Sequence, residues 1–245
     1  SKGLIELDSN NNIIPALAES VDVRDNGLEY SFNLKEDMYW SDGRTILAKD
    51  VLSFFREIIT EENEDSIKGL LNVYGAKDYR NNKNTTFSET VGIYIEDNNI
   101  VFRLNSRDDN FIKELSKVQY RLRNNVALWE DIKSNYSNLI YSGNYSIENI
   151  TNEEIILKSN KKDLKVERIN IITGEETEVA MAAFEIGTRD IVLNPPKSQL
   201  NRLEEEKKLI TTEDNTGIYL SYNGEFSISD RKYIYSYMLK AIESY

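Results

Sequence analysis

The stretch that decides the fold class is residues 28–59, which read LEYSFNLKEDMYWSDGRTILAKDVLSFFREII. Apolar and polar side chains alternate over residues 28–35, which is the period of a strand with one buried face. Residues 48–59 instead repeat their apolar side chains at helical spacing. Between the two, Trp-Ser-Asp-Gly at 40–43 predicts a tight turn. A strand, a turn and a helix in succession indicate a mixed α/β structure.

Strands and helices stay interspersed along the rest of the chain. We predict a hairpin over residues 91–104, because the asparagine-rich turn at 97–99 separates two apolar runs. We expect this hairpin and the strand 28–35 to share one sheet beneath the helix 48–59. The other predicted strands are a second hairpin around 145–147 and 155–157, and single strands at 166–172, 190–193 and 218–222.

Four further helices and one weaker helical pattern are predicted. The weaker pattern covers 67–79, and the first helix is a short one capped by Asp108 or Asp109. The second follows Gly174 and buries Val179, Ala183 and Phe184. The last two are one opened by Pro195-Pro196 with Leu200 and Leu203 inside, and one capped by Ser229.

Charge and composition limit the classes of function. The formal net charge of −12 disfavours nucleic acid and anionic membrane surfaces as partners, because like charges repel. The chain has no Cys and no His, which removes thiolate catalysis, the usual general base and the common zinc sites. We therefore expect no enzyme, no metal and no cofactor. A hydrolase with a carboxylate pair among the 42 Asp and Glu stays open as an alternative, as does a Ser paired with a Lys, although no local spacing singles out either arrangement.

Several short motifs follow one another in a fixed order across nearly the whole chain. They are Gly3-Leu4 with Ile14-Pro15-Ala16-Leu17-Ala18-Glu19-Ser20, the Tyr-x-Phe-x-Leu strand at 30–34, the Trp-Ser-Asp-Gly turn, the Ala-x-Asp-Val helix start at 48–51, Gly143-Asn144-Tyr145, residues 184–191, and residues 230–241. In this order they resemble the extracellular solute-binding proteins that serve oligopeptide, dipeptide and nickel ABC importers. One departure is Leu47, which stands where the family usually has a capping Thr. We expect the helix to rely on Asp50 in its first turn, or on packing, instead.

The resemblance implies a periplasmic-binding-protein-like (type II) mixed-sheet lobe with the start of a second lobe. Residues 1–140 would form the outer subdomain of the first lobe and residues 141–216 its core subdomain. Residues 217–245 would be the crossover strand and first helix of the second lobe. Members are typically about twice this length, so the chain resembles their first lobe, without the strand that precedes Gly3 in the family.

The resemblance also implies where a ligand would lie, which is between the two lobes. The candidate ligand-binding residues are Tyr141, Tyr219, Tyr222 and Asn223. For each of these taken singly, a tyrosine in the core or on an alternating strand is an equally good interpretation. Tyr219 and Tyr222 fall on opposite faces of a strand, so we expect only one of the two rings to line a cleft.

Two functions follow from the resemblance. The first is the substrate-binding component of an ABC importer, which captures oligopeptides or a related small solute outside the membrane and delivers them to the permease subunits. This predicts an extracellular, cell-surface lipoprotein of a Gram-positive bacterium, held at the membrane by an upstream lipid anchor if one is present, or a periplasmic protein. The second is the same fold used as a ligand-sensing domain of a regulatory protein.

Overall fold

The structure is a computed structural model that describes residues 1–82, 84–212 and 226–243. The chain divides into two compact units, Ser1–Gln199 and Leu200–Tyr245. All the described strands belong to the first unit, where they form three antiparallel sheets. Across the described ranges, no helix is both long enough and apolar enough to cross a membrane.

The strands and helices alternate in small groups along the chain. The strands are β1 (Ile5–Leu7), β2 (Ile13–Pro15), β3 (Ala18–Arg24), β4 (Glu29–Leu34), β5 (Ile93–Glu96), β6 (Asn99–Arg103), β7 (Tyr145–Ile150), β8 (Glu154–Ser159) and β9 (Arg168–Ile172). The helices are α1 (Ala48–Glu61), α2 (Ala76–Asn81), α3 (Phe87–Thr90), α4 (Phe111–Leu115), α5 (Ile132–Asn135), α6 (Thr177–Glu185), α7 (Lys197–Glu205) and α8 (Ile228–Glu243). Single 3-10 turns lie at Asp25–Gly27, Leu70–Asn72, Val118–Tyr120, Val126–Trp129 and Tyr136–Asn138. The weak helical pattern at 67–79 therefore becomes one 3-10 turn and the start of α2.

The main core lies between α1 and a four-stranded sheet of order β3-β4-β6-β5. On β4, Tyr30, Phe32 and Leu34 are buried at every second position, as the alternating pattern predicts. The Phe55 ring of α1 packs edge-on against Phe102 of β6, with 4.9 Å between the ring centroids. Because α1 contacts both β5 and β6, the predicted sheet beneath this helix is confirmed.

The β5–β6 hairpin has the predicted partners. Ile93 lies opposite Phe102 and Ile95 opposite Ile100, so the apolar side chains of both strands share a face. The turn is formed by the two residues between Glu96 and Asn99, and Asp97 takes a φ of +55°. The second predicted hairpin is β7–β8, where Ile147 lies opposite Leu157, and β9 pairs with the free side of β8.

Two predictions about apolar segments in the first unit are wrong. In α6, Val179 is 54% exposed, whereas Met181 is 6% exposed. The less exposed positions are Thr177, Ala180, Met181, Ala183 and Phe184, so the prediction fails at Val179 but not at Ala183 and Phe184.

The second error is the strand predicted at 190–193. In the described part of the chain no strand forms there, and Ile191 and Leu193 are 73% and 81% exposed. An apolar run becomes a strand only when a neighbouring strand pairs with its backbone, and apolarity alone does not provide that neighbour.

The helix caps also differ from the prediction. The cap of α4 is Asn110, which makes no side-chain cap, and Asp108 instead accepts a hydrogen bond from the Asn110 amide at 2.9 Å. At α8 the capping residue is Ser227 rather than Ser229. The Ser227 hydroxyl accepts from the Asp230 amide at 3.2 Å, and the Asp230 carboxylate accepts from the Ser227 amide at 3.2 Å. This reciprocal pair satisfies two amides, whereas a cap at Ser229 would satisfy one.

The helix opened by Pro195-Pro196 is confirmed as α7, in which Leu203 is buried and Leu200 is half-buried. The strand predicted at 218–222 lies outside the described residues.

A candidate ligand-binding groove

Tyr141 lies just before β7, in the segment that links the last 3-10 turn to that strand. Its side chain is 5% exposed, and its phenol donates a hydrogen bond to the Tyr136 carbonyl at 3.2 Å. Burial raises the pKa of the Tyr141 phenol above its ordinary value, because the charged form loses its water. The phenol is therefore a neutral hydrogen-bonding group at physiological pH.

Hydrogen bonds join the Tyr141 segment to the Trp-Ser-Asp-Gly turn. The Tyr141 amide donates to the Ser41 hydroxyl at 2.9 Å, and the Ser41 amide donates to the Tyr141 carbonyl at 2.8 Å. The neighbouring Ser142 hydroxyl donates to the Leu122 carbonyl at 2.7 Å and accepts from the Lys2 amide at 3.0 Å. We call these four bonds the seam, because they join parts of the chain that are far apart in sequence.

Beside the seam is a groove of about 390 Å³. Its walls include aromatic and aliphatic side chains and one charge of each sign, from Trp129, Tyr141, Tyr145, Ile147, Leu157, Lys2 and Glu6. Trp129 packs edge-on against Tyr141, with 5.4 Å between ring centroids and 73° between the ring planes. We call this pair the aromatic wall. The volume falls in the range of roughly 300–1,000 Å³ that small-molecule sites usually have.

The charges of the groove are partly shielded from water. Burial lowers the pKa of Lys2 below its ordinary value, and the ammonium groups of Lys161 and Lys35 lower it further, while Glu6 opposes them. Among the described residues, no group of three or more His, Cys, Asp or Glu could hold a metal ion. The groove offers apolar contact, hydrogen-bonding groups and two opposite charges, which suits the binding of a small solute.

The structure describes the position of one of the four predicted site residues, and their role in binding stays a prediction. Tyr141 lies in the wall of the groove, whereas Tyr219, Tyr222 and Asn223 lie outside the described residues. The sequence reasoning did not single out Trp129, which comes from the 3-10 turn Val126–Trp129. The one local signal for it was a large aromatic residue in a stretch without regular periodicity.

Comparison with known proteins identifies the family. The sequence profile of the bacterial extracellular solute-binding proteins, family 5 Middle, matches residues 12–235. The oligopeptide-binding protein AmiA of Streptococcus pneumoniae is 24% identical over 238 residues, which cover 88% of this chain and 36% of AmiA. A dipeptide-binding protein of Lactococcus lactis is 33% identical over 96 residues, which cover 39% of this chain and 17% of that protein.

Solved structures share the fold. A periplasmic oligopeptide-binding protein of Borrelia burgdorferi superposes with a TM-score of 0.71 at 22% identity, over 83% of this chain and 43% of its own. Haemophilus influenzae OppA, solved in complex with RPPGFSPFR, has a TM-score of 0.69 at 20% identity, over 84% of this chain and 42% of its own. The chain thus spans less than half the length of each of these relatives, and its fold is that of a lobe of a type II periplasmic binding protein. The match over residues 12–235 shows that the chain belongs to the bacterial extracellular solute-binding proteins of family 5.

Proposed function

We propose that this chain is part of the substrate-binding component of an ABC importer, which captures oligopeptides or a related small solute and delivers them to the permease. The observation that carries the proposal is the family match over residues 12–235. Relatives named as oligopeptide-binding and dipeptide-binding proteins support the choice of ligand. The protein would act outside the membrane, as a lipoprotein of a Gram-positive cell surface or in a periplasm, and would catalyse no reaction.

The proposed ligand contacts are Tyr141, Tyr219, Tyr222 and Asn223, with Trp129 added from the groove. Tyr141 and Trp129 supply two rings that lose few rotamers on binding, which suits a ligand of variable side chains. The proposed subdomains remain 1–140, 141–216 and 217–245.

A binding measurement tests the proposal. Because the chain spans less than half of its relatives, we expect it to hold about half the contacts of a complete site. A micromolar site is worth about 8 kcal/mol, so half of that free energy, about 4 kcal/mol, leaves a millimolar one. A pool of mixed peptides at about 0.1 mM, roughly a tenth of that dissociation constant, should therefore leave the Tm of the 245-residue chain unchanged.

The matched measurement uses a longer protein, in which the 245 residues are extended at both ends to the length of the relatives. A ligand at one hundred times its dissociation constant stabilises by about 2.7 kcal/mol, so the same pool should raise the Tm of the longer protein clearly. Absence of any shift in the longer protein would contradict peptide binding. A strong shift in the 245-residue chain alone would show that one lobe already holds the binding determinants.

A further inference from the structure

The aromatic wall of the groove is connected to the Trp-Ser-Asp-Gly turn through one residue of that turn, Ser41. Ser41 meets Tyr141 twice, through its hydroxyl at 2.9 Å and through its amide at 2.8 Å. The two residues are one hundred positions apart in the chain. A reciprocal pair of this kind fixes both the distance between the two segments and the angle at which they meet.

Three sets of interactions fix the conformation of the turn that carries Ser41. The Gly43 amide donates to the Trp40 carbonyl at 2.9 Å, and Gly43 takes a φ of +87°, which glycine adopts without strain. The Trp40 ring is buried and its indole N–H lies 3.4 Å from the Asp50 carboxylate of α1. The Asp42 carboxylate accepts from the Arg44 amide and pairs with the Arg44 guanidinium at 2.7 Å. The turn therefore holds the backbone of Ser41 in one conformation.

The backbone of Tyr141 is bonded to this turn. Its own phenol is bonded to the nearby Tyr136 carbonyl, and its backbone also forms a bridge with Arg123. The bonds to Ser41 are the ones that connect its backbone to the Trp-Ser-Asp-Gly turn and, through Trp40 and Asp50, to α1. Trp129 rests edge-on against the Tyr141 ring, so a shift of Tyr141 changes the position of the second ring as well.

We infer that Ser41 is a positioning residue for the ligand groove, because its hydroxyl holds the backbone of Tyr141 and thereby sets the aromatic wall. This inference rests on the proposed function, since it matters for binding only if the groove takes the ligand. Ser41 is not itself among the residues that line the groove. Its role is to transmit the geometry of the Trp-Ser-Asp-Gly turn to Tyr141 and Trp129.

Fluorine NMR of the 245-residue chain labelled with 5-fluorotryptophan tests the inference. The chain contains two tryptophans, so two signals are expected, and Trp129→Phe assigns the signal of the wall. Ser41→Ala should move or broaden the Trp129 signal under conditions where the protein is fully folded. Ser41→Thr keeps the hydroxyl, and Ser41 is exposed enough to accept a methyl group, so this variant should restore the wild-type signal.

Ser31→Ala is the matched control. The Ser31 hydroxyl is buried and has no hydrogen-bond partner among the described residues, so its removal should leave the Trp129 signal unchanged. Circular dichroism and urea unfolding of each variant verify that the fold persists at the temperature of the measurement.

Titration of the longer protein, extended at both ends to the length of the relatives, with the nonapeptide RPPGFSPFR connects the wall to binding. The Trp129 signal, again assigned by Trp129→Phe, follows the titration. Ser41→Ala should weaken the affinity by roughly three- to tenfold, as expected for the loss of one hydrogen bond, and Ser41→Thr should recover it. An unchanged Trp129 signal in Ser41→Ala would overturn the positioning role, whether or not the affinity for the peptide changes. A changed signal with unchanged affinity would overturn instead the placement of the ligand in this groove.

Discussion

Leu47 is the N-cap residue, immediately before α1, where a side-chain oxygen usually accepts an amide hydrogen bond from the first turn. Leucine has no acceptor, and the structure shows no side-chain cap there. Asp50 provides the other half of the capping interaction, since its carboxylate accepts from the Leu47 amide at 2.9 Å. The same carboxylate lies 3.4 Å from the indole N–H of Trp40. The helix start was expected to rely on Asp50 or on packing, and the structure shows both the Asp50 hydrogen bond and a buried face on α1.

The missing cap predicts a stabilising substitution. Leu47→Thr should raise the free energy of unfolding by about 1 kcal/mol, because the hydroxyl would satisfy a free amide at the helix start. Leu47 is 44% exposed, so little packing is lost, and Leu47→Ala serves as the control for that loss. Asp50→Ala should lower the free energy of unfolding by about 1–2 kcal/mol. Urea unfolding measures all three, and equal stability of the Thr and Ala variants would refute the capping argument.

The β5–β6 hairpin shows how one backbone angle governs an element. Asp97 has a φ of +55°, in the left-handed region that Asp, Asn and Gly tolerate better than other residues. The next residue, Asn98, donates from its side-chain amide to the Leu34 carbonyl at 2.9 Å. The turn is thus attached to the end of β4 as well as closing its own hairpin.

We expect Asp97→Val to lower the free energy of unfolding by about 1–2 kcal/mol, because a β-branched residue is strained at positive φ. Asp97→Asn should have the stability of the wild type, since asparagine accepts the same conformation. Thermal and urea unfolding would compare the two variants. Equal losses for Val and Asn would mean that the Asp97 carboxylate matters, and not the backbone angle.

At the scale of the whole molecule, buried phenols predict how stability changes with pH. Burial raises the pKa of Tyr30, Tyr120 and Tyr141 above the ordinary tyrosine value of 10.0. As the pH rises above that value, the phenols of the unfolded chain lose their protons first, so the folded state binds more protons than the unfolded state. The contribution of these phenols to stability is therefore fully present below the ordinary pKa, and it is lost as the pH rises above that value.

The free energy of unfolding should fall by up to about 1.4 kcal/mol per pH unit for each phenol that stays protonated only in the folded state. Urea unfolding between about pH 8 and pH 11, where the ordinary tyrosine titrates, measures the slope. Tyr120→Phe should reduce it, because phenylalanine has no proton to lose. An identical slope in wild type and variant would refute the assignment to Tyr120. From about pH 5 to pH 8 we expect no histidine-type step, since the chain has no His.

Two kinds of information about this protein came from the sequence alone. The periods of two and of about 3.6 residues located β4, α1 and the β5–β6 hairpin, because these periods reflect local backbone geometry. The ordered motifs pointed to the family, since they follow one another in the same order as in its members. Capping positions and apolar faces were less accurate, as Val179 and Ser229 show, because a shift of a few residues changes them without changing the element.

Tertiary structure decided what depends on residues far apart in the chain. The apolar run at 190–193 contains no information about a pairing strand, so the exposure of Ile191 and Leu193 could not be foreseen. In the same way, no local pattern places Trp129 against Tyr141 or joins Ser41 to Tyr141 across one hundred positions. Local periodicity specifies which elements form, because it acts through neighbouring residues. The groove was decided only by the packing of those elements, since its walls and its seam are made of long-range contacts.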